Sequence, residues 1–192
     1  MLKKMPLALI VLLAACAAPE TKTNAPAAKA GPETRLPGKI SWTDGKGDVP
    51  VIPAGKARCE APADHEVALI LASTNKARAA RGLKPLAVDE RLQRAAQKHS
   101  CDQAERGMMT HIGHDTTGPS PRVKREGYAP RITAENIGAG RMDAGRIASE
   151  WVKSPGHIAN IVVPDLTGFG LGKAYGSDGR TLFWTAVYAA GK

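Results

Sequence analysis

Apolar residues recur at helical spacing in this chain only from about Asp64 onward, and that late start bounds what can fold. Before it, residues 17–63 are rich in Ala, Pro, Lys, Thr and Gly and show almost no apolar periodicity. Such a segment buries too little surface to offset the entropy of ordering, so most of 16–63 is expected to be a solvated tether. A short ordered piece is expected around Ile40, Ser41 and Trp42, because tryptophan is rare in a pure linker. The remainder, 64–192, suffices for one ordinary domain and is too short for two.

The N-terminus reads as an export signal. Lys3 and Lys4 form a positive region, Leu7 to Leu13 an apolar run, and Ala14-Ala15 precede Cys16. The run is too short for a permanent membrane-spanning helix and has the order of a cleavable signal peptide, residues 1–15. Leu13-Ala14-Ala15-Cys16 is also the lipobox pattern, in which the Cys16 thiol takes a diacylglyceryl group and becomes the first residue. The plain alternative is a signal peptide cut elsewhere. Two or more acyl chains on Cys16 would hold the protein stably to a membrane. Ala17, rather than an aspartate, follows the lipid cysteine, which favours an outer over an inner membrane where a cell has both. The expected location is therefore the cell envelope, facing the periplasm or the exterior.

The formal charge of +9 falls to +7 once Lys3 and Lys4 are removed. That balance favours anionic partners, such as acidic lipid head groups or envelope polymers. Nucleic acid is not expected, since the compartment is wrong and no basic run with interleaved aromatics is present. With Cys16 assigned to lipid, Cys59 and Cys101 remain. An even pair in an oxidising compartment reads as a disulfide, the alternative being two free thiols.

Punctuation residues divide the domain. A first helix follows Asp64 and closes at Gly82, and a second runs from an Asp89 cap to Gly107. A short third helix starts at Ser120-Pro121 and stops at Gly127. Residues 132–137 read as a strand, and Asp143 caps a fourth helix through Ile147 and Trp151 that Pro155-Gly156 should end. Two strands, Gly168 to Tyr175 and Thr181 to Ala189, close the chain around a turn at 176–179. An α/β layering around one core is the natural result.

Candidate chemistry lies in His111-Ile-Gly-His114-Asp115, in Ala134-Glu135-Asn136, and in Trp151-Val-Lys-Ser154-Pro-Gly-His157 with Asn160. Imidazoles and a carboxylate from separate elements suit a borderline metal such as zinc. Hydrogen-bonded structural roles for the same side chains stay open. His114 reads as exposed, His65 and His99 as structural or solvated, and Trp151 as core.

The order of Asn75-x-x-Arg78, Gly82-Leu-x-Pro-Leu86, the His111 loop, Gly127-Tyr128, Ala134-Glu135-Asn136-Ile137 and Trp151-x-x-Ser-Pro-Gly-His157-x-x-Asn160-Ile161 resembles the CAP superfamily. That superfamily comprises cysteine-rich secretory proteins, antigen 5 and pathogenesis-related proteins, and the match is closest to its bacterial secreted branch. The resemblance spans about 64–190 and implies a three-layer α-β-α sandwich with a small, largely antiparallel central sheet. It further implies a cleft with two histidines and two glutamates that in some members binds zinc. His111 and His157 match the histidines and Glu135 the first glutamate, while Ser154 stands at the second. Asn136 belongs to the same cleft, and His157 is followed by Ile158 rather than arginine.

A non-enzymatic binding module is the favoured reading, its cleft taking a divalent metal, a lipid or another envelope ligand. Neither Gly-x-Ser-x-Gly nor His-Glu-x-x-His occurs. A zinc-dependent hydrolase with Glu135 as base is the first alternative. An adhesion or scaffolding element that holds anionic polymers on its basic face is the second.

Overall fold

Glycine occupies every second position from Gly168 to Gly172, and that spacing decides how the layers meet. The computed structural model describes residues 47–192 and the backbone of two short strands before them. In chain order the elements are β1 (Thr34–Leu36), β2 (Lys39–Trp42), β3 (Val49–Pro50), α1 (Asp64–Ala79), β4 (Ala87–Val88) and α2 (Glu90–Arg106). They continue with β5 (Met108–Met109), α3 (Pro119–Arg125), β6 (Pro130–Gly140), α4 (Ala144–Lys153), α5 (Pro155–Ile161), β7 (Gly168–Tyr175) and β8 (Leu182–Gly191). The signal peptide and Cys16 lie outside the described residues.

The main sheet has the order β1-β2-β6-β8-β7-β4. Its centre, β6-β8-β7, is antiparallel, while β2 joins β6 and β4 joins β7 in parallel. Side chains alternate across it, as the pleat requires. Trp184, Ala186 and Tyr188 of β8 pack with Phe169 and Leu171 of β7 against Ile70 of α1, Ile147 and Trp151 of α4 and Ile161 of α5. On the other face Val187 and Ala189 meet Leu92, Ala95 and Ala96 of α2 and Val123 of α3. This is the α-β-α sandwich implied by the resemblance.

The β7 glycines point at α2. A Cβ on Gly170 would lie 2.2 Å from the Leu92 carbonyl carbon, and one on Gly172 would lie 2.2 Å from the Ala96 oxygen. Helix backbone thus rests directly on strand backbone, which is possible only without side chains between them. The Gln93 and Gln97 side chains fill the seam, their oxygens accepting from the amides of Leu171 and Lys173 at 2.9 and 3.1 Å.

Caps fall where local chemistry puts them. Asp89 accepts from the amides of Arg91 and Leu92 at the start of α2, and Gly107 ends that helix in the left-handed region at φ 64°. Asp143 caps α4 through the Arg146 amide. One expectation is corrected here. The fourth helix does stop at Lys153, but Pro155-Gly156 then begins α5 rather than a loop. Ser154 is extended (ψ 126°), as a residue before proline prefers, and Pro155 supplies the φ of a first helical turn without needing an amide partner.

The last part of the segment read as tether lies against the domain. Val49 and Pro50 pair with Met109 and Met108, Arg58 bridges to Tyr175, and Cys59 is disulfide-bonded to Cys101 with Cα atoms 5.1 Å apart. Val51, Ile52 and Ala57 cover Ala104, Ala174 and Phe183. These few apolar residues lack helical spacing, so periodicity could not mark them.

Candidate functional site

Glu135 and Asn136 are neighbours on β6 and therefore face opposite layers. The Asn136 side serves the α5 layer. Its amide donates to the His157 carbonyl at 3.1 Å and to the Tyr188 hydroxyl at 3.3 Å, while its oxygen accepts from Asn160 at 2.9 Å. Asn160 also donates to the Glu135 carbonyl at 2.9 Å, so the two asparagines clamp α5, and His157 with it, to the strand.

The Glu135 side chain enters the α2–α3 layer and is fully buried, at 0% exposure. Arg122 of α3 donates through Nη2 to Oε2 at 2.5 Å, and His111 donates through Nδ1 to Oε1 at 2.8 Å. Nη1 of Arg122 reaches the His111 carbonyl at 3.0 Å and the Thr116 hydroxyl at 3.2 Å, which fixes the loop between α2 and α3. Behind them His99 of α2, 1% exposed, donates through Nε2 to the Thr110 carbonyl at 2.8 Å. The same nitrogen lies 3.8 Å from Oε1 of Glu135. Burial pushes the Glu135 carboxyl up, but Arg122, His99 and His111 outweigh it and hold it at about 2. Burial drives the His99 imidazole down to about 3, with Arg122 adding to the effect.

Sequence reasoning brings His111, Glu135, Asn136 and His157 forward and misses Arg122, the counter-ion of the cluster. It also leaves His99 among structural or solvated residues, whereas the structure places it inside the cluster. A signal is present for His99, which follows Leu92, Ala95 and Ala96 on one helix face. Nothing in the spacing around Arg122 marks it. His114 is turned outward, with 79% of its side chain exposed. Ser154 is half-buried at the junction of α4 and α5. Trp151 is core, its indole donating to the Ile137 carbonyl at 3.1 Å.

Two concavities lie on the α4–α5 side. One, about 320 Å³, holds His157 with Met109, Ile137, Met142, Trp151 and Glu150 among its walls. The larger, about 750 Å³, is a groove between α1 and α4. Leu69, Ala72, Ala148, Val152 and Ile158 line it, with Lys76, Arg81 and Lys153 also in its wall and no acidic side chain among the described residues. Alanine in place of longer side chains at 72, 77, 80 and 148 leaves the space open.

An α-β-α sandwich whose central strand carries an Ala-Glu-Asn triplet, tied on one side to a loop histidine and on the other to a Ser-Pro-Gly-His helix, defines a CAP-type domain. Residues 71–188 match the profile of the cysteine-rich secretory protein family, CAP, and the chain belongs to that family. It is 32% identical over 99 residues to the uncharacterized protein YkwD of Bacillus subtilis, a match covering 52% of this chain and 38% of that one. Among solved structures it resembles an outer surface protein of Borrelia burgdorferi, with a TM-score of 0.61 at 18% identity, covering 69% of this chain and 98% of that one. It also resembles an extracellular SCP-domain protein of Bacillus anthracis, with a TM-score of 0.58 at 25% identity, covering 66% and 40% of the two chains. The chain thus spans about two fifths of the length of the YkwD and B. anthracis relatives.

The zinc that the family resemblance implies is poorly served by these residues. Catalytic zinc takes three protein donors and an open position. Here Glu135 is committed to Arg122 and His111, Ser154 replaces a carboxylate, and the Arg122 guanidinium repels a dication. His111 and His157 alone do not make that donor set, and no chemical step is derived through a metal in this cleft.

Proposed function

We propose that this is an envelope protein, held to a membrane through lipidated Cys16, whose domain is a non-enzymatic module binding an amphiphile with an acidic head group. The observation that carries the reading is the α1–α4 groove, an apolar trough whose charged lining residues are all cationic. An acyl chain of the ligand lies along Leu69, Val152 and Ile158, and its head group meets Lys76, Arg81 or Lys153. Membrane attachment would bring such ligands within reach.

The hydrolase alternative is weaker because a carboxylate held at about 2 by a guanidinium is a poor general base at neutral pH. Glu135 instead sets the orientation of His111 and anchors the loop. The test is a fluorescence titration of the full-length chain with cis-parinaric acid. Val152→Glu, which puts a carboxylate into the groove, should weaken binding at least about tenfold, the order expected of one buried like charge. Equal binding by the variant, or His157-dependent hydrolysis of an ester substrate, would overturn the proposal.

A further inference from the structure

A third concavity lies between α2 and α3, on the opposite face of the sheet from the groove. It is about 170 Å³, and its walls include His99, Asp102 and Arg122 with the more exposed Lys98, Asp115 and Arg125. That volume exceeds a single water several-fold and is well below the roughly 300–1,000 Å³ of a drug-sized pocket, so it suits a small ligand or the end of a longer one.

Two polar atoms of these lining residues are buried with no hydrogen-bond partner among the described residues, Nδ1 of His99 and Nε of Arg122. Nε2 of His99 carries the ring proton, because it sits 2.8 Å from the Thr110 carbonyl, which can only accept. Nδ1 is therefore a lone pair that needs a donor, whereas the Nε–H of Arg122 needs an acceptor. Asp102 Oδ2, a second acceptor, lies 3.9 Å from Nδ1. Gly113 keeps the space between Asp102 and Arg122 open, since a Cβ there would lie 3.7 Å from both Asp102 Oδ2 and Arg122 Nη1.

The charges of the wall disfavour ions of either sign. Lys98, Arg122 and Arg125 oppose a cation, and Asp102 and Asp115 oppose an anion. Three of the five already have partners: Lys98 with Glu126 at 2.8 Å, Arg122 with Glu135 at 2.5 Å, and Asp102 with Arg106 at 2.8 Å. What the wall offers is donors and acceptors side by side. Hydroxyl groups answer that mixture without a net charge, because each donates one hydrogen bond and accepts through its lone pairs.

We propose that this cavity binds a neutral polyol, a free sugar or the sugar end of a polymer, through a vicinal diol. One hydroxyl donates to His99 Nδ1 and its neighbour to Asp102 Oδ2. Their oxygens accept from Arg122 Nε and from the cationic group of Lys98 or Arg125. Ala95 supplies an apolar stretch of wall for the carbon skeleton.

The site is independent of the groove and fails separately from it, since its probes carry no acyl chain. The experiment is ¹⁵N NMR of the full-length chain, following the His99 Nδ1 resonance during titration with glycerol, D-glucose and propane-1,3-diol. An imidazole lone pair that accepts a hydrogen bond moves its ¹⁵N resonance upfield. Saturable upfield shifts are expected with glycerol and with glucose. Propane-1,3-diol, which lacks the vicinal hydroxyl of glycerol, should bind at least about tenfold more weakly, and Asp102→Asn should weaken glucose binding by a similar factor. Maltotriose distinguishes the sources: binding kept assigns the end of a polymer, and binding lost assigns a free polyol. No saturable shift with either glycerol or glucose would leave the cavity to water and overturn the proposal. Equal binding of propane-1,3-diol and glycerol would overturn it too, as would glucose binding unchanged in Asp102→Asn.

Discussion

At the scale of single residues, Arg122 and Glu135 are each other's main support. Removing one partner of a buried ion pair leaves an uncompensated charge, which costs about 3–5 kcal/mol. Arg122→Met should lower stability by that order in urea denaturation, and adding Glu135→Met should restore part of the loss. His99 gives a pH dependence with a definite sign. In the unfolded chain its imidazole protonates near its ordinary value of 6.5, and in the fold near 3, so its contribution is complete above 6.5 and drains away as pH falls toward 3. Glu135 is lowered from 4.5 to about 2, so its contribution is complete above 4.5 and fades only below it. The shifted carboxyls of Asp89, Glu126 and Asp178 likewise act only in the acid range. The urea midpoint should therefore fall between about pH 6.5 and 4.5 through His99, and His99→Gln, which keeps a donor for Thr110, should flatten that interval.

At the scale of elements, the contact of α2 with β7 is set by absent side chains. Gly170→Ala would place a methyl 2.2 Å from the Leu92 carbonyl carbon, a clash with helix backbone that no rotamer relieves. The loss in thermal or urea unfolding should reach or exceed the about 1–3 kcal/mol typical of overpacking. Gly145→Ala, whose nearest neighbour would be 3.5 Å away, should stay within about 0.5 kcal/mol. Helix limits at Asp89, Gly107 and Asp143 are legible because capping is chemistry within four residues of chain. The glycine alternation of β7 is not, since its meaning depends on which helix lies over it. Glu135 and His111 can be assigned by motif. His99 carries a sequence signal in its place on the Leu92, Ala95 and Ala96 face of α2, whereas Arg122 emerges only when α3 is placed beside α2 on the same face of β6. The start of α5 at Pro155 is hidden because proline ends one helix and opens another with the same geometry.

At the scale of the whole molecule, the described segment that precedes α1 is fastened to the domain. The Cys59–Cys101 bond joins that segment to α2, and β3 pairs with β5 beside the His111 loop, where Asp48 also accepts from the Thr110 hydroxyl. Replacing both cysteines by serine should cost about 2–4 kcal/mol, measured as a shift in the urea midpoint. The groove and the Glu135 cluster lie on opposite faces of one sheet, so ligand binding and the locked carboxylate are separable. The proposed groove assignment is most directly tested by methyl NMR of the full-length chain titrated with palmitate. The groove assignment predicts saturable shifts at Leu69, Ala72, Ala148, Val152 and Ile158, with Met109 and Met142 undisturbed. Shifts centred on Met109 and Met142 in the His157 cleft, or no saturable shift in the domain, would contradict it.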